Sequence, residues 1–293
     1  MKKLWSGQTR GGVLGHKIFV FIIKRFRLRV AFFVLHFVSA YFVFFSPKST
    51  KSIYQFFRKV FHYSKLKSFL KIFRNYYIFG QTLIDKVAMM AGIVKQYTFE
   101  FDGEEHLRAM VENGTGGMLI SAHVGNWEIA GHMLQRLNCK VNVVMYEAEH
   151  ESLKKYMNSV TGKKYVNVIV MRSDMSHIFE ISAALKNKEL ICIHGDRFVT
   201  GAKVIPTKFF GEKAFFPSGP FYMASKFDVP YAFVFAMKER STHYHLYSTP
   251  QKKCTEGVQK MVEEYAAELE KMVLKYPEQW FNYYDFWTPV EKK

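Results

Sequence analysis

At 293 residues the chain has room for one large domain, or for a domain with an appendage. Its net charge of +17 is segregated: residues 1–84 hold 16 Lys and Arg and no Asp or Glu, which leaves 26 bases against 25 acids in residues 85–293. Cys139, Cys192 and Cys254 are scattered without paired spacing, which argues against a disulfide framework or a zinc knuckle and suits a reducing compartment.

The first residues, MKKLWSGQTRGGVLGHK, are basic, but no apolar core with a small-residue cleavage site follows in the order a removed signal peptide needs. Residues 1–50 form a basic, aromatic segment. Such interleaving fits either nucleic acid or an anionic membrane surface. The apolar run Val30–Phe45 favours the membrane, because a nucleic-acid site would not set its bases beside so long a greasy stretch. Its 16 residues are interrupted only by His36 and Ser39 and preceded by Lys24, Arg25, Arg27 and Arg29. As a helix it would reach about 24 Å, short of a hydrocarbon core of roughly 30 Å. A monotopic anchor is therefore expected, with the bases on acidic headgroups. A transmembrane span and a buried aromatic helix are the alternatives.

Ser46-Pro47 breaks the segment, since the residue before a proline resists helix. Residues 51–96 read as a helical lead-in with a stop near Gly92. From residue 97 to 293 strands and helices alternate. Strands are expected at Gly117–Ala122, Val141–Tyr146, Val166–Met171, Glu189–His194, Pro230–Lys238 and His243–Ser248. Helices are expected near 103–113, 126–137, 149–160, 174–187 and 217–227, with a closing helix from Glu256 to Tyr276. The fold class is α/β, a mostly parallel mixed sheet flanked by helices, with a basic hydrophobic helical anchor before it.

The run GMLISAHVGNWEIAG at 117–131 delivers His123 into a loop at the C-terminal end of a strand, where chemistry usually sits in such sheets. Glu128 follows across the strand-to-helix turn. The two can be a general base and the carboxylate that orients it, or a loop histidine capped by a glutamate. Their spacing is not that of zinc ligands on one helix face. No G-x-S-x-G elbow is present, and Ser121 is given no nucleophilic role.

Three segments together resemble the lysophospholipid acyltransferase superfamily, most closely its lipid A biosynthesis acyltransferase branch. They are His123-Val-Gly-Asn-Trp-Glu128, an HX4E block; His194-Gly-Asp-Arg197 through Phe209-Phe210-Gly211 to Pro217-Ser-Gly-Pro220 and Val229-Pro230; and Pro277-Glu-Gln-Trp280. The resemblance covers about residues 100–290. It implies transfer of a fatty acyl group from an acyl thioester, carried by acyl carrier protein or by CoA, to a hydroxyl of a lipid or glycolipid. His123 would be the general base and Glu128 its orienter, with no covalent acyl-enzyme. Imidazole suits the role because its ordinary pKa lies near neutrality. Substrate-binding candidates are Asn126, Arg197, Asp196 and Gly219. Arg197 would meet a polar group of the acceptor or the donor's phosphate, or else form a salt bridge to Asp196. Asp196 is read as shaping its loop, Asn126 as a turn residue and Trp127 as a packing anchor. His194 is read as a polar wall or a structural histidine, and His132 as packing.

At least half of Phe209, Phe210, Phe215, Phe216 and Phe221 are expected in the core, the rest along an acyl channel. The aromatic run from Trp280 to Trp287 is expected at the membrane boundary. No cofactor, metal site or nucleic-acid partner is expected. The location implied is the cytoplasmic face of a bacterial inner membrane, where the basic N-terminal surface could also dock an acidic carrier protein. Tyr146-Glu147 stands where the branch usually has Tyr-Arg, and the acidic turn is His-Gly-Asp-Arg. These departures weaken the case for bis-phosphorylated lipid A itself; the expected acceptor is a lipid or glycolipid such as a lipid A precursor, with another lipid or an aryl-polyene-type pigment as the alternative. A non-catalytic lipid-binding protein is the rival reading.

Overall fold

Three helices come before the sheet and lie against it in the computed structural model, which describes residues 21, 25–26, 28–90, 93–134, 137–146, 166–172, 174–199 and 201–287. Helix α1 spans Leu28–Phe45, α2 Pro47–Lys59 and α3 Lys65–Met90. Helix α1 is nearly all apolar and buries one stripe, Leu28, Ala31, Phe32, Leu35, Ser39 and Val43, at the three-to-four-residue spacing of a helix face. That stripe packs on α3, where Leu35 lies over Gly80, a position at which a Cβ would meet Leu35 Cδ1 at 2.4 Å. The opposite face, Phe33, Phe37, Tyr41, Phe44 and Phe45, is exposed. Pro47 opens α2 at a position where its missing N–H is no loss, and Thr50 Oγ1 donates to the Val43 carbonyl at 3.0 Å to fix the corner.

The chain then runs β1 (Thr98–Asp102), α4 (Glu104–Glu112), β2 (Gly117–Ser121), α5 (Trp127–Leu134), β3 (Val141–Tyr146), β4 (Val166–Met171), α6 (His177–Lys186) and β5 (Leu190–His194). It continues through β6 (Val204–Phe209), β7 (Glu212–Pro217), α7 (Gly219–Lys226), β8 (Tyr231–Arg240), β9 (His243–Ser248) and α8 (Val258–Lys275). Seven strands form one sheet in the order β1-β9-β8-β2-β5-β3-β4, and every pair is parallel except β8 with β9. This is the expected mixed, mostly parallel sheet flanked by helices. All five residues of β2 are buried, as a central strand covered on both faces requires.

Two elements differ from the expectation. Strand β1 forms from only five residues, TFEFD, and draws its order from parallel pairing with β9. Residues 204–217 form a separate antiparallel hairpin, β6–β7, outside the main sheet. Pro206 cannot donate a ladder hydrogen bond, and it is tolerated because this ribbon has only two strands. The helix expected near 149–160 lies outside the described residues, as does most of residues 1–27.

A buried polar cluster joins the helices to the sheet. Asp85 of α3 pairs with Lys238 of β8, accepts from Tyr97 at 2.8 Å and accepts from Tyr244 of β9. Lys238 also stands 5.4 Å from the ring centroid of Phe32 on α1. Burial pushes the Asp85 carboxyl up and the Lys238 ammonium down, while each partner's charge opposes the shift.

Candidate active site

His123 leaves the end of β2 and is held by a residue 73 positions away in sequence. Asp196 Oδ1 lies 2.8 Å from His123 Nδ1, and Asp196 Oδ2 accepts the His123 backbone N–H at 2.9 Å. Parallel pairing of β2 and β5 makes this possible, because it sets Ser121 opposite His194 and ends both strands at the same edge. The connection past β5 is tight. The Gly195 N–H and the Tyr265 hydroxyl both donate to the Ser121 carbonyl at 2.8 Å. A Cβ at Gly195 would lie 2.9–3.0 Å from Ile120, Phe221 and Tyr265.

The Asp196 contact fixes the imidazole tautomer. With Nδ1–H donating to the carboxylate, Nε2 keeps its lone pair. Asp196 is 2% exposed, and burial alone would raise its pKa. The charge and hydrogen bond of His123, with the charge of Arg197, outweigh burial and hold the carboxylate well below its ordinary range. His194 Nδ1 stands 3.2 Å from His123 Nε2, with ring centroids 4.2 Å apart. Burial, reinforced by His123, pushes the His194 pKa well down, so His194 stays neutral. By donor type and spacing His123, His194 and Asp196 could also hold a metal ion.

The turn carrying His123 is braced from two sides. Gly125 has φ +65, and a Cβ there would meet the Ala236 carbonyl at 2.1 Å, so only glycine lets the turn lie against β8. The Asn126 N–H donates to Ala236 O at 2.7 Å, the Gly125 N–H to Gln279 O at 3.0 Å and the Phe281 N–H to His123 O at 3.0 Å. Gln279 is fixed in turn by accepting from Lys238 N at 2.9 Å and donating to Lys238 O at 2.6 Å. From α3, Asn75 donates to Glu278 O at 3.0 Å and to Trp280 O at 3.2 Å.

The sequence candidates sort as follows. His123 and Asp196 meet: the carboxylate at His123 Nδ1 is that of Asp196, a residue expected only to shape its loop. Glu128 lies in the first turn of α5; its side chain, like that of His132, is outside the described residues. Asn126 is buried, and its amide donates to Thr82 O at 3.3 Å and Tyr244 Oη at 3.1 Å, which braces the turn from inside. Arg197 Nη2 donates to Phe281 O at 2.5 Å, while its Nε is buried without a hydrogen bond among the described residues. Gly219 is exposed at the start of α7, with open space where a Cβ would stand. Trp127 meets His194 edge-on, with centroids 5.1 Å apart.

Phe209, Phe216 and Phe221 are core residues, as expected for at least half of that cluster. The closing aromatics require a correction: Trp280, Phe281 and Phe286 are 2–5% exposed and belong to the interior, not to a membrane boundary. Trp280 packs edge-on against Phe56 of α2 and Phe209 of β6 because its backbone is already tied to the His123 turn.

A model of the bacterial lipid A biosynthesis acyltransferase family matches residues 71–287. The chain belongs to that family. The family match starts within α3 and takes in the whole sheet, the His123–Asp196 pair and the bracing segment around Gln279. A phosphatidylinositol mannoside acyltransferase of Mycobacterium tuberculosis strain H37Rv is 28% identical over 133 residues, 45% of this chain and 42% of the relative. The protein of the same name from strain CDC 1551 is 27% identical over a stretch of the same length. The match thus spans less than half the length of these curated relatives.

Proposed function

We propose that this protein transfers a fatty acyl group from an acyl thioester to a hydroxyl of a lipid or glycolipid, with His123 as general base. The contact between His123 Nδ1 and Asp196 Oδ1 at 2.8 Å carries the reading. The acceptor hydroxyl takes the place beside Nε2 that His194 fills in the free protein. As its oxygen attacks the thioester carbonyl, Nε2 removes its proton. The new C–O bond forms, the C–S bond breaks, and the leaving thiolate takes the proton back from the imidazolium. Asp196 stabilises that imidazolium, and neutral His194 does not repel it. Glu128 remains the acid of the HX4E block and a second candidate for orienting His123. Arg197 remains a candidate for a polar group of the acceptor or the donor's phosphate, because its Nε has no partner among the described residues, and Gly219 remains a substrate-binding candidate.

Acyl carrier protein is the first candidate for the thioester carrier and CoA the second. A glycolipid is the acceptor class common to the family's description and to the named relatives, so it ranks ahead of a pigment acceptor. The outer face of α1 supports a monotopic seat on a membrane, and the cytoplasmic side of the inner membrane is the location the resemblance implies. The 18 residues of α1 have a mean hydropathy of 1.9, yet one stripe is committed to α3 and cannot face lipid.

The test is transfer of label from an acyl thioester into bacterial membrane lipid. His123→Ala should lower the rate about 10²–10⁴-fold, the usual worth of a positioned base. Equal product from both proteins would remove His123 from the reaction. Comparing Asp196→Asn with Glu128→Gln assigns the orienting carboxylate to whichever loss is larger.

A further inference from the structure

Away from His123, at the β1 edge of the sheet, three strands gather imidazoles and carboxylates at one place. His243 and His245 on β9 are two residues apart and so project to one face. Glu100 and Asp102 on β1 do the same, and the parallel register sets Glu100 opposite His245. Glu239, near the end of β8, joins them. His245 Nδ1 lies 3.3 Å from Glu239 Oε1 and 3.8 Å from Glu100 Oε2. His243 Nε2 reaches the same two carboxylates at 3.9 and 3.6 Å. Glu100, Glu239 and His245 each offer a donor atom, all within 4.8 Å of one another.

These separations suit a small cation. Nitrogen and oxygen ligands about 2.0–2.1 Å from a tetrahedral zinc stand roughly 3.3–3.4 Å apart, so the cluster must contract towards the 3.3 Å already set between His245 and Glu239. A second observation concerns the other ring nitrogen. The His245 side chain is 9% exposed, and its Nε2 is buried and makes no hydrogen bond among the described residues, although Asp102 Oδ2 stands 3.1 Å away. A metal-bound histidine donates its other ring N–H to a carboxylate, and a small turn of the ring or of Asp102 would make this 3.1 Å contact that hydrogen bond. The Tyr276 hydroxyl donates to Glu239 Oε1 at 2.5 Å and holds that carboxylate in place beside the two histidines.

We propose that Glu100, Glu239 and His245, with His243 as a further donor and Asp102 behind His245, bind a divalent transition-metal ion of the zinc class. The ion would clip β1, an edge strand paired only with β9 in the sheet order, to β8 and β9. It would be structural, and it is separate from the donors at His123.

Full-length protein in detergent, stripped with a chelator and desalted, is titrated with Zn²⁺ by calorimetry and followed by thermal melting. One ion per chain is expected, with Kd about 1 µM or tighter. His123→Ala should bind equally well. Glu239→Gln/His245→Ala should lose the site, and Glu100→Gln, a change at an exposed side chain that the fold will bear, should weaken binding roughly tenfold or more. The proposal is overturned if the wild type shows no saturable binding, if Glu100→Gln binds like the wild type, or if binding is lost in His123→Ala instead.

Discussion

Lys238→Met perturbs the buried cluster that joins the helices to the sheet. In the native chain the Lys238 and Asp85 side chains are 3% and 0% exposed. Removing the ammonium leaves a carboxylate in the interior with two hydroxyl donors, Tyr97 and Tyr244. Breaking one partner of a buried pair costs about 3–5 kcal/mol. The remaining donors still solvate Asp85, so the lower end, about 3 kcal/mol, is expected. At roughly 2–4 °C per kcal/mol, the melting midpoint should fall by about 6–12 °C. Asp85→Asn alone strands the ammonium and should cost a similar amount. The double variant removes both charges and should be more stable than either single variant, by about 2 kcal/mol. Urea unfolding in detergent, followed by tryptophan fluorescence, measures all four proteins. If the double variant loses the sum of the single losses, the two charges do not compensate one another and the argument fails.

Two further outcomes follow from the site and the anchor. Burial keeps His194 unprotonated in the folded state, whereas the unfolded chain binds that proton below about pH 6.5. Stability should therefore fall as pH drops below about 6.5. His194→Gln should flatten that slope by up to about 1.4 kcal/mol per pH unit, and parallel wild-type and variant curves between pH 6.5 and 5 would show that His194 does not titrate on unfolding. On α1, Phe33 and Phe37 are 63% and 67% exposed. Changing both to Asp removes roughly 1.5–3 kcal/mol of apolar contact each, so flotation with anionic liposomes should drop more than tenfold at an unchanged melting midpoint; undiminished flotation would move the membrane contact elsewhere.

Much of the sheet was legible because its central strands are apolar runs bounded by turn residues, as at Met118–Ala122 and Leu190–His194. Strand β1 was not, since five alternating residues carry too little pattern without their partner β9. The hairpin was hidden by Pro206, which reads as a breaker when the strand count around it is unknown. At the site, His123 could be found from its place after a strand. Asp196 was visible as a residue but not in its role, because its contact with His123 depends on β2 and β5 being neighbours. That adjacency is set by strand order, which spacing along the chain does not encode. Likewise, Trp280 looked like a membrane aromatic because nothing local revealed that its backbone pairs with Val124.

The backbone bonds from Gly125 to Gln279 and from Phe281 to His123 have a temporal meaning as well as a spatial one. During synthesis, β2 and the turn after it emerge early, whereas the segment that closes over them is made after every described strand and helix of the sheet. Until residues 279–281 have left the ribosome, the His123 carbonyl and the Gly125 amide lack their partners. A chain still being translated therefore carries His123 on an unfinished turn until residues 279–281 arrive to close it.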